Sequence, residues 1–356
     1  MRTLGVDSTT EVSILGKPAA PTPRAAGFLS SSGYTPLRMV EKVLLASPRG
    51  YCAGVERAVD TVEQALALYG APVYVRKQIV HNLHVVHELE ERGAIFVDDE
   101  SEVPEGRTMV LSAHGVAPSV HANAAARELR TIDATCPLVT KVHVQARRYA
   151  ADGYFVILIG HAGHEEVVGT MGEIPGSIAL VESLEDIATL EFPAETRLAY
   201  VTQTTLSVEE TREVIAALRE RFPAIRAPQR EDICYATSNR QWAVKELLAA
   251  VDLLLVIGSR NSSNSNRLVE TAHAGGVASH LIDDESEIDE SWLDGVTVVG
   301  ITSGASAPET LVQGVCSWFR ARGVTRIEEH RFLEENIEFR LPVELRRELA
   351  LADRQS

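Results

Sequence analysis

The sequence lacks several features that would place the chain in a familiar class. Only four cysteines occur among 356 residues, and they are too few and too far apart for a disulfide framework. No apolar run approaches the roughly 20 residues that a membrane helix needs. Basic residues are scarce, with 34 Lys and Arg against 50 Asp and Glu and a net charge of −16. Because such a surface repels nucleic acid and anionic lipid, we expect no nucleic-acid partner and no membrane partner. The scarcity of cysteines predicts a reducing, cytoplasmic location.

The first 38 residues differ in composition from the rest of the chain. They are rich in Pro, Ser, Thr, Ala and Gly and show no helical or strand periodicity. They also lack the charged region followed by an apolar region that marks a secretory signal. Segments with this composition bury too little apolar surface to fold, so we predict a disordered N-terminal extension over residues 1–38.

From residue 40 onward, short apolar runs alternate with helical patterns, which predicts an α/β fold with mostly parallel sheets. The runs fall into three sets of three. Each set opens with a cysteine between a strand and a helix, and continues with two strand ends rich in His, Ser, Thr, Asn or Gly. We therefore predict three similar α/β domains in a pseudo-threefold trefoil around a central site. The predicted boundaries are residues 39–135, 136–232 and 233–325, followed by a C-terminal segment at 326–356.

Three of the four cysteines share one sequence context, since Cys52, Cys136 and Cys234 each follow a strand and open a helix. The partial positive charge of a helix N-terminus lowers a thiol pKa and favours the metal-binding thiolate. Three thiolates can hold zinc with a fourth ligand, or three irons of a [4Fe–4S] cluster with one iron left open. Gly54 would let the helix start approach such a group closely. Cys316 lies mid-helix among apolar residues, which predicts packing in the core.

Two loops predict an anion site. The stretch "SRNSSNSNRLVE" follows a buried strand and opens a helix, and it contains Ser262, Ser263 and Asn264. The stretch "TSGASAPE" places Ser306 shortly before Pro308, a residue that favours a helix start. Backbone N–H groups at helix N-termini bind phosphate, and these loops hold more hydroxyl and amide groups than capping requires.

Histidines and one carboxylate stand at further strand ends. His81, His114 and His164 can each donate a hydrogen bond to a phosphate oxygen or a hydroxyl. Glu166 follows His164, and burial in a closed site would raise its pKa and make it a general acid. The adjacent strand end, "TQTT", carries two hydroxyls that can relay or orient that proton, on Thr204 and Thr205.

These motifs together resemble those of the 4-hydroxy-3-methylbut-2-enyl diphosphate reductases, the LytB family. The resemblance runs in order from about residue 41 to residue 342, and "DATCPLVTKVH" and "NSSNSNR" are its most specific stretches. It implies a trefoil of three α/β domains around an oxygen-sensitive [4Fe–4S] cluster. Two features depart from the family, namely Glu165 where a proline is common and the extension at residues 1–38.

The resemblance also implies a role for each candidate residue. The cluster ligands would be Cys52, Cys136 and Cys234, and the fourth iron would bind the allylic hydroxyl of the substrate. The diphosphate would be held by His81, His114, Ser262, Ser263, Asn264 and Ser306, with His164 lining the same pocket and assisting catalysis. Glu166 would deliver the proton, Thr204 would position the hydroxyl, and Thr205 would support it.

The implied reaction ends the non-mevalonate isoprenoid pathway: two electrons and two protons remove the hydroxyl as water and give isopentenyl or dimethylallyl diphosphate. No flavin or nicotinamide fingerprint occurs, so the electrons would come from a ferredoxin or a flavodoxin. Two alternatives also fit three widely spaced cysteines, a non-redox iron–sulfur lyase of quinolinate-synthase type and a non-enzymatic zinc or iron–sulfur protein. The two phosphate-like loops and the candidate acid favour the reductase.

Overall fold

The structure, a computed structural model, describes residues 40–352 and residue 354. The predicted extension at residues 1–38 lies outside this range. The described residues belong to one compact unit. Among them, no helix combines the length and the apolar character that crossing a membrane requires.

The described residues alternate strands with helices, as the sequence pattern predicts. The strands are β1 (Lys42–Ser47), β2 (Val73–Arg76), β3 (Ala94–Val97), β4 (Thr108–Leu111), β5 (Arg130–Asp133), β6 (Phe155–Ile159), β7 (Ile178–Val181), β8 (Leu198–Thr202), β9 (Leu253–Ile257), β10 (Ala278–Ile282), β11 (Val298–Ser303) and β12 (Arg326–Arg331). The α-helices are α1 (Ala53–Tyr69), α2 (Leu83–Glu91), α3 (Pro118–Ala126), α4 (Pro137–Ala151), α5 (Glu165–Glu173), α6 (Leu184–Thr189), α7 (Val208–Arg221), α8 (Tyr235–Leu248), α9 (Ser263–Ala274), α10 (Glu309–Ala321) and α11 (Val343–Ala352).

These strands form three sheets, and every strand pairing within them is parallel. The first sheet has the order β3–β2–β4–β5, the second β7–β6–β8, and the third β10–β9–β11–β1–β12. Strands β8 and β9 are buried at every position, because helices cover both faces of a parallel sheet. The predicted α/β fold with mostly parallel sheets is confirmed.

The third sheet takes strands from both ends of the described chain. Strand β1, which falls within residues 39–135, pairs with β11 on one side and with β12 on the other. Strand β12 opens the predicted C-terminal segment at 326–356 and closes this sheet. The centre of β1 is buried, and a strand covered on both faces needs neighbours on both edges. The third sheet supplies both neighbours.

The helices show where the chain passes from one sheet to the next. Helix α1 follows β1 of the third sheet, yet its Val55 and Val62 pack against β2 of the first sheet. Helix α4 follows β5 of the first sheet and packs its Val142 against β6 of the second. Residue Arg226 bridges to β8 of the second sheet, and the next helix, α8, packs its Val244 against β9 of the third. Each of these crossings contains one of the three cysteines.

Candidate active site

The three crossing points place the cysteines at equivalent positions. Cys52, Cys136 and Cys234 are the N-cap residues of α1, α4 and α8. The backbone N–H of each cysteine donates to the carbonyl oxygen of a residue just beyond a neighbouring strand, in Ala305 at 3.2 Å, Ala113 at 2.9 Å and Thr204 at 3.0 Å respectively. Cys316 is fully buried within α10, which confirms its predicted packing in the core.

All the sequence-predicted site residues line one cavity at the carboxyl ends of the strands, where parallel α/β sheets bind their ligands. The cavity is lined by the three cysteines, the three histidines, Glu166 with Thr204 and Thr205, and the two loops that carry Ser262 to Asn264 and Ser306. Further lining residues not singled out in the sequence are mostly apolar, namely Val55, Val80, Ala113, Val139, Thr237 and Ala305. The structure brings these candidates together, while their individual roles stay predictions.

The three histidine rings form a cluster on one side of the cavity. The rings of His81 and His114 stack with centroids 4.0 Å apart, and the ring of His164 stands edge-on at 5.5 Å and 5.9 Å from them. Burial lowers the pKa of His81 and of His164 to about 4 and the pKa of His114 well below its usual range. The cluster therefore presents neutral imidazoles near pH 7, each with one N–H to donate.

The proton position on His164 follows from its contact with the backbone. As N-cap of α5, His164 accepts the backbone N–H of Glu166 at its Nδ1 atom, at 3.2 Å. A neutral imidazole that accepts at Nδ1 carries its proton on Nε2. The Nε2 atom of His164 is therefore a donor.

Glu166 is buried and held by one residue. Its Oε1 accepts the backbone N–H of Thr204 at 2.7 Å, and its Oε2 lies 3.0 Å from the Thr204 hydroxyl. Burial raises the pKa of Glu166 from 4.5 to about 7, although the bonds from Thr204 oppose the shift. With both oxygens held by Thr204, the carboxyl group is positioned to hold and release a proton near neutral pH.

The two anion loops line the same cavity as the histidines. Ser263 donates its hydroxyl to the carbonyl of Thr205 at 3.0 Å, and Ser306 donates to the carbonyl of His81 at 2.9 Å. Asn264, in the first turn of α9, is buried, and neither polar atom of its side chain has a partner among the described residues. Since buried amides are nearly always hydrogen-bonded, Asn264 indicates a polar ligand at this helix start.

A sequence model described as LytB protein matches residues 43–320. This chain belongs to the LytB family. A 4-hydroxy-3-methylbut-2-enyl diphosphate reductase of Acidothermus cellulolyticus is 62% identical over 309 residues, which are 86% of this chain and 91% of that protein. The protein of the same name from Streptomyces coelicolor is 58% identical over 309 residues, with the same two coverages of 86% and 91%.

Solved structures show the same similarity. The E-1-hydroxy-2-methyl-but-2-enyl-4-diphosphate reductase of Plasmodium falciparum matches with a TM-score of 0.86 and 37% identity, covering 89% of this chain and 100% of its own. A second structure, of an (E)-4-hydroxy-3-methyl-but-2-enyl diphosphate reductase described as the terminal enzyme of the non-mevalonate pathway, matches with a TM-score of 0.58 and 34% identity, over 79% of this chain and 100% of its own.

The LytB family uses an iron–sulfur cluster, and the space between the cysteines of this member fits one. A Cβ atom added to Gly54 would lie 2.7 Å from Cys136 Sγ and 3.7 Å from Cys52 Sγ, so only glycine leaves room between these sulfurs. Among the described residues, no three His, Cys, Asp or Glu side chains are arranged to hold a single metal ion. In a cluster each cysteine binds its own iron, so the thiols need not meet at one point.

The thiol pKa values of this LytB protein correct one prediction. Burial raises the pKa of Cys136 to about 12 and the pKa of Cys234 to about 11, and the N–H groups at the start of each helix offset only part of that rise. The predicted lowering of the thiol pKa is therefore wrong for these two residues, because burial outweighs the helix terminus. Metal binding releases thiol protons, so these thiolates would form together with the bound cluster.

Thr237 is the polar lining residue that sequence reasoning missed in this LytB site. Its hydroxyl lies 3.2 Å from Cys234 Sγ, and its backbone N–H donates to the same sulfur at 3.4 Å. The signal that would have identified it is its spacing, since the third residue of a helix contacts the N-cap side chain. Hydrogen bonds to ligating sulfurs tune the potential of iron–sulfur clusters.

Proposed function

We propose that this chain catalyses the reductive dehydroxylation of (E)-4-hydroxy-3-methylbut-2-enyl diphosphate, the last step of the non-mevalonate isoprenoid pathway. Two electrons and two protons enter; the allylic C–O bond breaks, the oxygen leaves as water, and a C–H bond forms at either end of the allyl unit. The products are isopentenyl diphosphate and dimethylallyl diphosphate. The observation that carries the proposal is a buried proton donor, Glu166 with Thr204, in the same cavity as three equivalent thiols and a histidine cluster.

The cofactor we propose is a [4Fe–4S] cluster held by Cys52, Cys136 and Cys234. When bound, such a cluster supplies electrons and, at the iron without a cysteine, a Lewis-acidic site for the substrate hydroxyl. The glycine at position 54 and the cysteine positions at three helix starts support this ligand set. A structural zinc site is not favoured, because such a site closes four ligands around one ion.

The diphosphate end of the substrate would lie between the histidine cluster and the start of α9. Neutral imidazole N–H groups, serine hydroxyls and the unpartnered amide of Asn264 supply donors there, and the helix terminus adds a favourable dipole. These donors bind an anion without adding a basic side chain to the cavity. The site can therefore accept an anionic substrate inside a protein whose net charge is −16.

Proton delivery follows from the bonds of Glu166. Its Oε1 accepts the backbone N–H of Thr204 and its Oε2 accepts the Thr204 hydroxyl; on protonation, Oε2 would carry the proton and would donate to that hydroxyl instead. That hydroxyl accepts the proton and can donate its own toward the substrate, which makes the pair a two-step relay. His164 adds a donor at Nε2, and Thr205 holds its hydroxyl near Gln203, at 2.9 Å from the amide nitrogen.

The electrons would come from a ferredoxin or a flavodoxin. The sequence carries no flavin or nicotinamide fingerprint, so a separate one-electron carrier has to supply them. Four free cysteines and an oxygen-sensitive cofactor also support a reducing cytoplasm as the location.

Anaerobic purification followed by a product assay tests the proposal. The protein is expected to be brown, to contain iron and sulfide, and to convert the hydroxymethylbutenyl diphosphate to the two isomers with dithionite as reductant. Samples without reductant, and a Cys136→Ser variant, serve as controls and should give no product. A colourless zinc protein would contradict the cofactor, and a brown protein that forms neither isomer would favour the lyase reading instead.

A further inference from the structure

Three basic side chains occupy matching places around the cysteines. Arg57 lies in the second turn of α1, Lys141 in the second turn of α4 and Arg240 in the second turn of α8. Each helix is opened by one of the three cysteines. None of these side chains lines the cavity, and each one donates instead to the loop that leads into another cysteine.

Arg57 connects the Cys52 helix to the Cys136 loop. Its Nη1 donates to the carbonyl oxygen of Thr135 at 3.0 Å, and its Nη2 donates to that of Asp133 at 3.3 Å. Thr135 immediately precedes Cys136. A third bond, from Nε to the carbonyl oxygen of Arg340 at 2.8 Å, holds the guanidinium in this orientation.

Lys141 connects the Cys136 helix to the Cys234 loop in the same sense. Its Nζ donates to the carbonyl oxygens of Glu231 at 2.7 Å and Arg230 at 3.2 Å. It also lies 3.1 Å from Oδ1 of Asp232, whose side chain is fully buried. The other carboxylate oxygen of Asp232 accepts the backbone N–H of Thr202 at 3.1 Å, which ties this loop to strand β8.

Arg240 connects the Cys234 helix back to the Cys52 loop. Its Nη2 donates to the carbonyl oxygens of Gly50 at 2.6 Å and Tyr51 at 3.2 Å, and its Nε donates to Gly50 at 3.2 Å. The side chain is 0% exposed and pairs with Glu335 at 3.3 Å. Gly50 has a φ of +69°, so glycine is favoured where the loop turns its carbonyl toward this arginine.

The three connections close into a ring. They run from the first cysteine helix to the second cysteine, from the second helix to the third cysteine, and from the third helix back to the first. With all three connections, every cysteine loop is fixed to the helix that another cysteine opens. With only two connections, one cysteine loop would lack this support. Bonds from charged donors to carbonyls are stronger than neutral ones, and each of these spans elements far apart in sequence.

We propose that Arg57, Lys141 and Arg240 are positioning residues that hold the three thiols at the spacing a [4Fe–4S] cluster requires, and so slow its loss. This inference rests on the proposed cluster site and goes beyond it by assigning cluster retention to residues that touch neither cluster nor substrate. Residues behind metal ligands typically change metal affinity or activity by about 10- to 100-fold when they are replaced.

Lys141→Met is the most informative single change, because Lys141 is partly exposed and its removal leaves the helix intact. A double variant, Lys141→Met with Asp232→Asn, removes the same clamp without leaving a lone buried carboxylate. Lys245→Met is the matched control, since Lys245 lies on α8 and pairs with Glu209 away from the cysteine loops. Lys141→Arg keeps a charged donor at this position and should therefore keep the parental rate of cluster loss.

Two quantities are measured after anaerobic reconstitution: iron and sulfide per chain, and the rate at which visible absorbance decays under a fixed concentration of chelator. Both Lys141→Met proteins should lose the cluster about tenfold faster than the parent, while Lys141→Arg and Lys245→Met stay near the parental rate. Arg57→Met and Arg240→Lys should shift the rate in the same direction. Thermal unfolding of the cluster-free proteins should differ little between the double variant and Lys245→Met, because neither leaves a lone buried carboxylate.

Parental decay rates in every ring variant would overturn the ring while leaving the proposed function intact. Equally fast decay in Lys245→Met would also overturn it, because general destabilisation would then explain the loss. A parent chain that takes up no iron and sulfide would instead remove the proposed cluster before any variant is compared.

Discussion

Replacing Glu166 with Gln removes one proton and almost nothing else. The amide oxygen of Gln can still accept the backbone N–H of Thr204, and its NH₂ group can donate to the Thr204 hydroxyl as the protonated acid would, so both contacts with Thr204 survive. The variant keeps the volume of the side chain and its place in α5. It cannot, however, release a proton to the substrate.

The structure sets the size of two effects. General acid catalysis by a positioned group contributes about 10²- to 10⁴-fold to rate, so turnover should fall by at least about 100-fold. The pKa of Glu166 is raised from 4.5 to about 7, and each pKa unit corresponds to about 1.4 kcal/mol. Keeping this side chain ionised in the folded protein therefore lowers the free energy of unfolding by about 3 kcal/mol.

The sign of the stability effect follows from that raised pKa. The folded state holds the Glu166 proton more tightly than the unfolded state does, so this carboxyl favours folding fully below about pH 4.5 and loses that contribution as pH rises through about 7. Gln cannot ionise. The free energy of unfolding of the variant, relative to the parent, should therefore rise by about 2 to 3 kcal/mol between about pH 5 and about pH 8.

Turnover is measured anaerobically with the diphosphate substrate and dithionite, and stability by urea unfolding at the two pH values. Glu165→Gln is the matched control, because the neighbouring carboxylate makes no bond to Thr204, and it should change neither quantity. Turnover of Glu166→Gln within a few-fold of the parent would remove Glu166 from the proton relay. A stability difference that is independent of pH, or that has the opposite sign, would refute the raised pKa.

Three further outcomes are expected. In Gly54→Ala the new Cβ would lie 2.7 Å from Cys136 Sγ, so iron and sulfide per chain should fall well below the parental content, and parental content would refute the close fit. In Cys316→Ala the loss of a buried sulfur should cost about 1 kcal/mol in urea unfolding with no change in iron content; a loss of iron would make Cys316 a ligand. Parental turnover should decline as pH rises through about 7, because Glu166 then loses its proton, and a flat profile would contradict that role.

Residue spacing predicted the local structure of the site well. Cysteines between a strand and a helix became N-caps, and polar strand ends met in one cavity, because both outcomes depend on a few neighbouring residues and on the direction of parallel strands. The pairing of β1 was not predictable in this way. Its apolar pattern shows that it is buried, but its partners β11 and β12 lie at the far end of the chain.

The thiol pKa values and the ring of cations were missed for related reasons. The helix N-terminus at Cys136 can be read from the sequence, whereas the burial that outweighs it depends on how three sheets meet. Arg57, Lys141 and Arg240 look like ordinary solvated helix residues, since nothing local indicates the carbonyls they face. Both features arise only when segments from different sheets come together.

The crossing of the chain between sheets also determines when the site can exist during synthesis. Among the described strands β1 is made first, yet its neighbours are β11 and β12, which are made last. The first and second sheets can fold while the chain is still growing, but Cys52 gains its backbone bond to Ala305, and its loop gains the bonds from Arg240, only when the third sheet forms. The full set of contacts that fixes the three thiols therefore exists only after β11 and β12 have been made.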